Sequence, residues 1–237
     1  MRRKLLLDFL LPVVFLMILT IVWTATDCDI KIERLFYTPE HGWVYHNNVC
    51  WAFLYRYGTF PAILLAAVSF SALLLSFFYG PCRSWRRRAL FFVLLMLIGP
   101  GFLVNVALKE SWGRSRPREV TLFGGQRPYT AVVEKGPAGM GKSFPSGHAA
   151  MGFYLLSPYF AFRRTSPRQS RFFLVLGLLY GLVMGLGRMI QGGHFATDVI
   201  WAGGIVYLCG AALYYLLGLD REGKMAEMAA HGPAMER

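Results

Sequence analysis

Phe60-Pro-Ala-Ile-Leu-Leu-Ala-Ala-Val-Ser-Phe-Ser-Ala-Leu-Leu-Leu-Ser-Phe-Phe-Tyr79 runs without a charge. Its length, about 20 residues, lets a helix cross a hydrocarbon core of about 30 Å. Arg83, Arg86, Arg87 and Arg88 follow at once. A soluble helix would show a polar face over such a distance, and this one shows none. It reads as a membrane span, and that reading sets the class of the whole chain.

Working outward, similar runs occupy Leu5–Ala25, Ala89–Leu108, Ala149–Phe162, Phe172–Leu186 and Val199–Leu219. The first, third and sixth suffice on length, whereas the fourth and fifth lean on their flanks. Leu5–Ala25, preceded by Arg2, Arg3 and Lys4, is too long for a signal-peptide core. It also lacks a small-x-small cleavage site before Asp27, so it is read as an uncleaved span. The expected fold is all-α: a six-helix transmembrane bundle over residues 1–219, one domain, followed by a flexible cytoplasmic tail, 220–237. Composition agrees. The 237 residues are 55% hydrophobic and 16% charged, where a soluble domain is about one-quarter charged. The abundance of apolar and aromatic residues excludes disorder. Pro100, between Gly99 and Gly101, should kink the third helix. Gly177, Gly181 and Gly185 form a small-residue stripe suited to close helix packing.

The net charge of +12 alone would suit nucleic acid, a membrane surface or an anionic substrate. Its distribution decides. The two short connections after the second and fourth spans carry Arg83, Arg86, Arg87, Arg88, Arg163, Arg164, Arg168 and Arg171 and no acid. The positive-inside rule places them in the cytoplasm with both termini. Loops 26–59, 109–148 and 188–198 then face outward. Cys28 and Cys50 share the first of these, and in an oxidising compartment they are predicted to form a disulfide. Cys82 and Cys209 read as inert.

Three polar stretches stand at the outward helix ends: Lys109-Glu-Ser-Trp-Gly-Arg-Ser-Arg116-Pro117, Ser143-Phe-Pro-Ser146-Gly147-His148, and Arg188-Met-Ile-Gln-Gly-Gly-His194-Phe-Ala-Thr-Asp198. Lys109 and Arg116 would share a face if the helix continued, and both suit phosphate oxygens. Ser146 and Gly147 put a hydroxyl and an amide at a helix N-terminus, where an anion is stabilised. Asp198, four residues after His194, is placed to accept a hydrogen bond from the imidazole and leave its other nitrogen available for attack. Arg114, Arg118 and Lys142 read as snorkelling anchors. Gly136-Pro-Ala-Gly-Met-Gly141-Lys142-Ser143 matches a P-loop pattern, but Pro145 breaks the helix such a loop requires, so no nucleotide is expected. His41 and His46 read as exposed, and no set with metal-ligand spacing accompanies the histidines.

These stretches resemble the three signature motifs of the type-2 phosphatidic acid phosphatase family, membrane lipid phosphatases related to vanadium haloperoxidases. The pattern Lys-x6-Arg-Pro is met by Lys109 to Pro117, and Pro-Ser-Gly-His by Pro145 to His148. Arg188, His194 and Asp198 meet the third motif, with Gly187 where Ser is usual. Ile98-Gly-Pro-Gly-Phe-Leu-Val-Asn105, Trp112-Gly-Arg114, Phe123-Gly-Gly125 and Gln191-Gly-Gly-His-Phe195 further resemble bacterial lipid A phosphatases, particularly those removing the 4′-phosphate. The resemblance implies His194 as nucleophile through a phosphohistidine intermediate, Asp198 as its support, and His148 as acid and then base. It implies Lys109, Arg116, Arg188, Ser146 and Gly147 as the phosphate cradle, with no metal and no cofactor.

The implied partners are a lipid phosphate and the bilayer, with neither nucleic acid nor nucleotide. The implied location is a bacterial inner membrane, multi-pass, with the site facing the periplasm. The leading substrate is lipid A; undecaprenyl pyrophosphate, phosphatidylglycerol phosphate and a lipid phosphotransferase activity are the alternatives. A non-catalytic lipid-binding protein would have no use for His148, His194 and Asp198 together. A soluble peroxidase is excluded by the apolar runs. The loop from Arg118 to Phe144, basic and partly aromatic, suits either a flap over a bulky anionic head group or a plain solvated connection.

Overall fold

The computed structural model describes residues 2–137 and 139–221. It begins with α1 (Arg2–Ala25) and a short α2 (Cys28–Glu33), followed by an antiparallel hairpin of β1 (Tyr37–Thr38) and β2 (Gly42–Trp43). Next come α3 (Val49–Tyr57), α4 (Phe60–Phe78) and α5 (Arg86–Met96), which continues through a π-helical stretch, Leu97–Leu108, into α6 (Lys109–Trp112). After a long loop, α7 (Gly147–Phe153), a 3₁₀ turn and α8 (Ser157–Phe162) form one helical run. α9 (Pro167–Ile190) and α10 (Ala196–Leu216) complete the bundle. Residues 222–237, most of the expected tail, lie outside the described residues.

Among the described residues five segments are long and apolar enough to cross a membrane: Lys4–Ala25, Val49–Phe78, Gly80–Glu119, Pro167–Ile190 and Ala196–Leu216. The chain is a multi-pass, mostly α-helical membrane protein. The expected fourth span is the exception by length. Its pieces of 7, 3 and 6 residues reach about 24 Å at the helical rise, short of the hydrocarbon core. It is also the most enclosed: Ala149, Ala150, Phe153, Tyr154, Leu156 and Phe160 are all buried in the main core. A helix wrapped by protein needs small residues for its neighbours more than it needs lipid-facing Leu and Ile, so its hydropathy signal is weak. Two α9 glycines serve that packing, and a third serves the contact with α10. A Cβ at Gly177 would overlap Leu156, one at Gly181 would overlap Phe153, and one at Gly185 would overlap Val199.

Two spans depart from expectation in detail. The second acquires α3 ahead of it, so its apolar run starts at Val49. The third widens to a π-helix around Pro100, which lacks an N–H and would clash with the preceding turn of a regular helix. The Asn105 side chain donates to the Pro100 carbonyl at 2.8 Å and satisfies it.

α1 is fastened to the bundle by polar bonds near both ends. Trp201 Nε1 donates to Thr20 Oγ1 at 2.9 Å. At the opposite end Arg163 grips Asp8 with bonds of 2.6 and 2.9 Å, and the Tyr215 hydroxyl adds a third at 2.6 Å.

At the end of the bundle holding α2, a second small core gathers Val120, Phe123 and Phe195 with Ile30, Tyr37, Trp43 and Tyr129. Arg127 donates to Glu119 at 3.1 Å and to the Met140 carbonyl. Residues 118–137 and 139–144 therefore form a cap seated on α2 and the hairpin, because Val120, Phe123 and Tyr129 join this core. The predicted Cys28–Cys50 disulfide is also corrected: both are free thiols. Cys28 Sγ lies 3.1 Å from Thr26 Oγ1, while Cys50 is exposed in the first turn of α3, on the far side of the hairpin in sequence.

Candidate active site

The third motif straddles the junction of α9 and α10. Gly192, at φ +61°, lets the chain reverse after α9, and His194 follows just before α10 begins. Asp198 caps that helix by accepting the Phe195 N–H at 2.8 Å. Its Oδ2 also accepts from Ser143 Oγ at 2.5 Å. His194 Nδ1 sits 2.6 Å from the Ser143 carbonyl and 3.9 Å from Asp198 Oδ2. The expected direct bond to Asp198 is thus replaced by a bond to Ser143, because capping α10 turns the carboxylate toward its own helix. A carbonyl can only accept, so Nδ1 carries the proton and Nε2 keeps its lone pair. Burial holds the imidazole pKa down, to about 4, against the opposing pull of Asp198; Arg188 and Lys109 lower it further.

Ser143 is delivered by the glycine-rich loop. Gly136 N–H donates to the Trp112 carbonyl at 3.0 Å, and Ser143 N–H to the Arg114 carbonyl at 2.9 Å. A Cβ at Gly136 or Gly141 would overlap the backbone of residues 113–115. The glycines that imitate a P-loop are there for this backbone contact, and the next helix starts only at Gly147.

Arg114 lies behind His194 and is completely buried. Its Nη1 donates to Asp198 Oδ1 at 2.6 Å and to Thr197 Oγ1 at 2.8 Å, and its Nη2 to Asp29 Oδ2 at 2.8 Å. Thr197 in turn donates to Asp29 through N–H at 3.0 Å and Oγ1 at 2.5 Å. Nearby Glu33 is buried, and neither carboxyl oxygen has a hydrogen-bond partner among the described residues. Burial, followed by the charges of Asp29 and Asp198, raises its pKa well above the usual range.

The cations stand on the other side. Lys109 Nζ bonds Asn105 Oδ1 at 3.0 Å, one turn back along the same helical run. A Cβ at Gly147 would approach those two atoms to 3.0 and 2.5 Å, so only glycine fits beside them. Arg188 donates to Gln191, and its guanidinium lies over the Tyr55 ring, 4.4 Å from the centroid. The same ring stacks on His148 at 4.7 Å. Arg116 Nε and Arg188 Nε are buried donors with no hydrogen-bond partner among the described residues. Burial lowers the His148 pKa to about 4, with Arg188, His194 and Lys109 adding to the effect. Ser146 Oγ caps α7, accepting from Ala149 N–H at 3.4 Å.

The charges of Arg116, Arg188 and Asp198 all act on Lys109, and those of Lys109, Arg188 and His194 on His148. The predicted residues from the three motifs therefore share one pocket. Lys109 and Arg116 do not share a helix face: α6 stops at Trp112, Gly113 at φ +71° turns the chain, and Arg116 arrives on extended backbone. Arg114 is no snorkelling anchor, since it is enclosed by carboxylates. Sequence reading missed it along with Asp29, Ser143, Asn105 and Tyr55. Arg114 had a signal, being a third cation inside the first motif, whereas Asp29 and Tyr55 had none. Gly187, in place of the usual Ser, faces α3; a Cβ there would lie 3.2 Å from the Trp51 ring. His41 and His46 are exposed, and among the described residues no three His, Cys or carboxylate groups converge as for a metal.

Comparison with known proteins bears on what this pocket is. The chain is 32% identical over 201 residues to the lipid A 4′-phosphatase of Francisella tularensis subsp. novicida (strain U112), covering 83% of this chain and 89% of that one. It is 32% identical over 137 residues to a lipid A 4′-phosphatase of Rhizobium leguminosarum, covering 56% of each chain. With the Rhizobium etli lipid A 4′-phosphatase the identity is 35% over 137 residues, 56% of this chain and 51% of that one. No solved structure matches. The PAP2 superfamily model matches residues 88–221, more than half of the chain and inclusive of all three motifs. With that span, and with a relative aligned over most of its length, the chain belongs to the PAP2 superfamily.

Proposed function

We propose that this protein is a phosphoric monoester hydrolase acting on a membrane lipid, and that it removes the 4′-phosphate of lipid A. One observation carries the chemistry: the Ser143 carbonyl fixes the proton on His194 Nδ1, which leaves a neutral Nε2 as nucleophile. In the first step Nε2 attacks phosphorus, the P–O bond to the sugar breaks, and protonated His148 gives its proton to the departing oxygen. In the second, water attacks the phosphohistidine, His148 takes the water proton, and the P–N bond breaks to release phosphate. Lys109, Arg116 and Arg188 hold the phosphoryl oxygens with Ser146 and the Gly147 amide, and Asp198 stabilises the positive charge the imidazole acquires. Phosphoryl transfer asks mainly for such positioning and charge stabilisation.

The catalytic unit is residues 1–219. The segment Ala149–Phe162 serves as a sixth span inside the other five, which brings both termini to the cytoplasm and the three motif loops to the periplasmic face of an inner membrane. The substrate assignment is supported by the three relatives and by the cap beside the pocket. Mass spectrometry of lipid A from cells expressing the protein should show loss of one HPO₃, about 80 Da, from the distal sugar. His194→Ala and His148→Ala should abolish that loss. Unchanged lipid A beside rapid release of phosphate from undecaprenyl pyrophosphate would replace the substrate and keep the chemistry. Transfer to a second lipid without free phosphate would make the enzyme a phosphotransferase.

A further inference from the structure

We propose that Asp29, in the helix after the first span, is a positioning residue: acting through Arg114 and Thr197, it sets the charge that Asp198 presents to His194. The inference rests on His194 being the nucleophile. Nothing in the three motifs points to Asp29, which enters the site from 85 positions before Arg114 in the chain. It nevertheless holds three short bonds there, from Arg114 Nη2 at 2.8 Å and from Thr197 N–H and Oγ1 at 3.0 and 2.5 Å.

The geometry divides one buried guanidinium between two carboxylates, with Nη1 on Asp198 and Nη2 on Asp29. A single Arg–Asp pair would be neutral and would present little field to the imidazole. Two carboxylates on one Arg leave a net charge of about −1 in a buried cluster, where Coulomb interactions are weakly screened. Glu33 does not add to that charge, because its buried carboxyl has no donor among the described residues to stabilise an anion. When Nε2 takes the phosphoryl group, the ring gains positive charge while Nδ1 keeps its proton on the Ser143 carbonyl. The surplus negative charge offsets it. Asp29 also pins Thr197, the residue before Asp198, and so fixes the first turn of α10. The groups that face this cluster and the imidazole are Asp29 and Glu33 from α2, Arg114 from the turn after α6, Tyr129 from the cap loop, Lys109, His148, Arg188 and Asp198.

Asp29→Asn removes the charge but keeps the volume. Arg114 then pairs with Asp198 alone, and the negative potential at His194 falls. Both the direct and the relayed effect lower the His194 pKa. For purified protein in detergent, with a lipid phosphate that the wild-type protein hydrolyses, kcat should fall about tenfold or more. KM and the inhibition constant of inorganic phosphate should stay within about twofold, since the cradle is untouched. The acid limb of kcat/KM should move to lower pH. Asp29→Glu should recover part of kcat, and Thr197→Val, which keeps the branched volume and the Asp29 charge, should give a smaller loss of the same kind. If Asp29→Asn does not fold, Thr197→Val alone decides. An unmoved acid limb, or kcat, KM and phosphate inhibition worsening together with the melting temperature, would reduce Asp29 to a structural residue and overturn the proposal. His194→Ala is measured alongside: activity surviving that change would remove the nucleophile and the inference with it, whereas its loss beside an unaltered Asp29→Asn would remove the inference only.

Discussion

Burial keeps both imidazoles of the pocket neutral at pH 7, with His194 and His148 each at about 4 against an ordinary 6.5. The consequence for stability has a definite sign. Between pH 6.5 and 4 the unfolded chain binds protons that the folded one refuses. Stability is therefore fully present above about pH 6.5 and is lost as pH falls through the window, by up to about 1.4 kcal/mol per pH unit for each proton. Melting temperature in detergent should fall on acidification across that range, and His194→Gln should flatten the dependence. For catalysis the same values mean that His148 acquires its proton only when a phosphoryl dianion offsets Arg188 and Lys109. The pH–rate profile should be bell-shaped, with limbs belonging to the coupled pair of histidines.

At the scale of elements, the buried run from α7 to α8 is held by close contact with α9, and glycine is what permits it. A side chain at Gly177 would run into the Leu156 backbone, which cannot rotate aside, and one at Gly181 into the Phe153 ring. Gly177→Ala and Gly181→Leu should each destabilise the bundle by about 1–3 kcal/mol or more, the usual cost of overpacking. Gly80→Ala, where an added Cβ meets nothing within 4 Å, should leave the melting temperature unchanged. Equal melting temperatures for all three would mean that α9 does not pack on this run as described. Helix ends matter as much as helix faces. α10 is capped by Asp198, α7 by Ser146, and α6 is stopped by Gly113, so three helix termini define where the chemistry can sit.

For the whole molecule the proposed orientation has its own test. The Arg-rich connections after Phe78 and Phe162 lie at the end of the bundle opposite to His194, and the positive-inside rule assigns that end to the cytoplasm. Val133 is 59% exposed in the cap and Ser84 is exposed in the opposite connection, so both are accessible to a labelling reagent. In intact cells, with Cys50 and Cys82 replaced by Ala, an impermeant maleimide should label Val133→Cys and spare Ser84→Cys. The reverse pattern would turn the pocket toward the cytoplasm and separate it from a periplasmic substrate.

Much of this architecture follows from the sequence by itself, because the strongest physical signals are local. Charge-free runs such as Phe60–Tyr79 announce spans, and Arg clusters beside them announce sides. The spacing within each motif kept Lys109, Arg116, His148, Arg188, His194 and Asp198 in view as one set. What the tertiary structure decided concerns partners distant in the chain. Arg114 looks like any basic residue at a helix end until Asp29 and Asp198 close around it. The bond from His194 goes to Ser143 because capping α10 commits Asp198 to its own helix, a competition that a four-residue spacing does not reveal. The cap is seated on the hairpin because Phe123 meets Phe195, Tyr37 and Trp43. Burial, and hence the protonation of both histidines, depends on which segments surround a residue, and only the packed chain determines that.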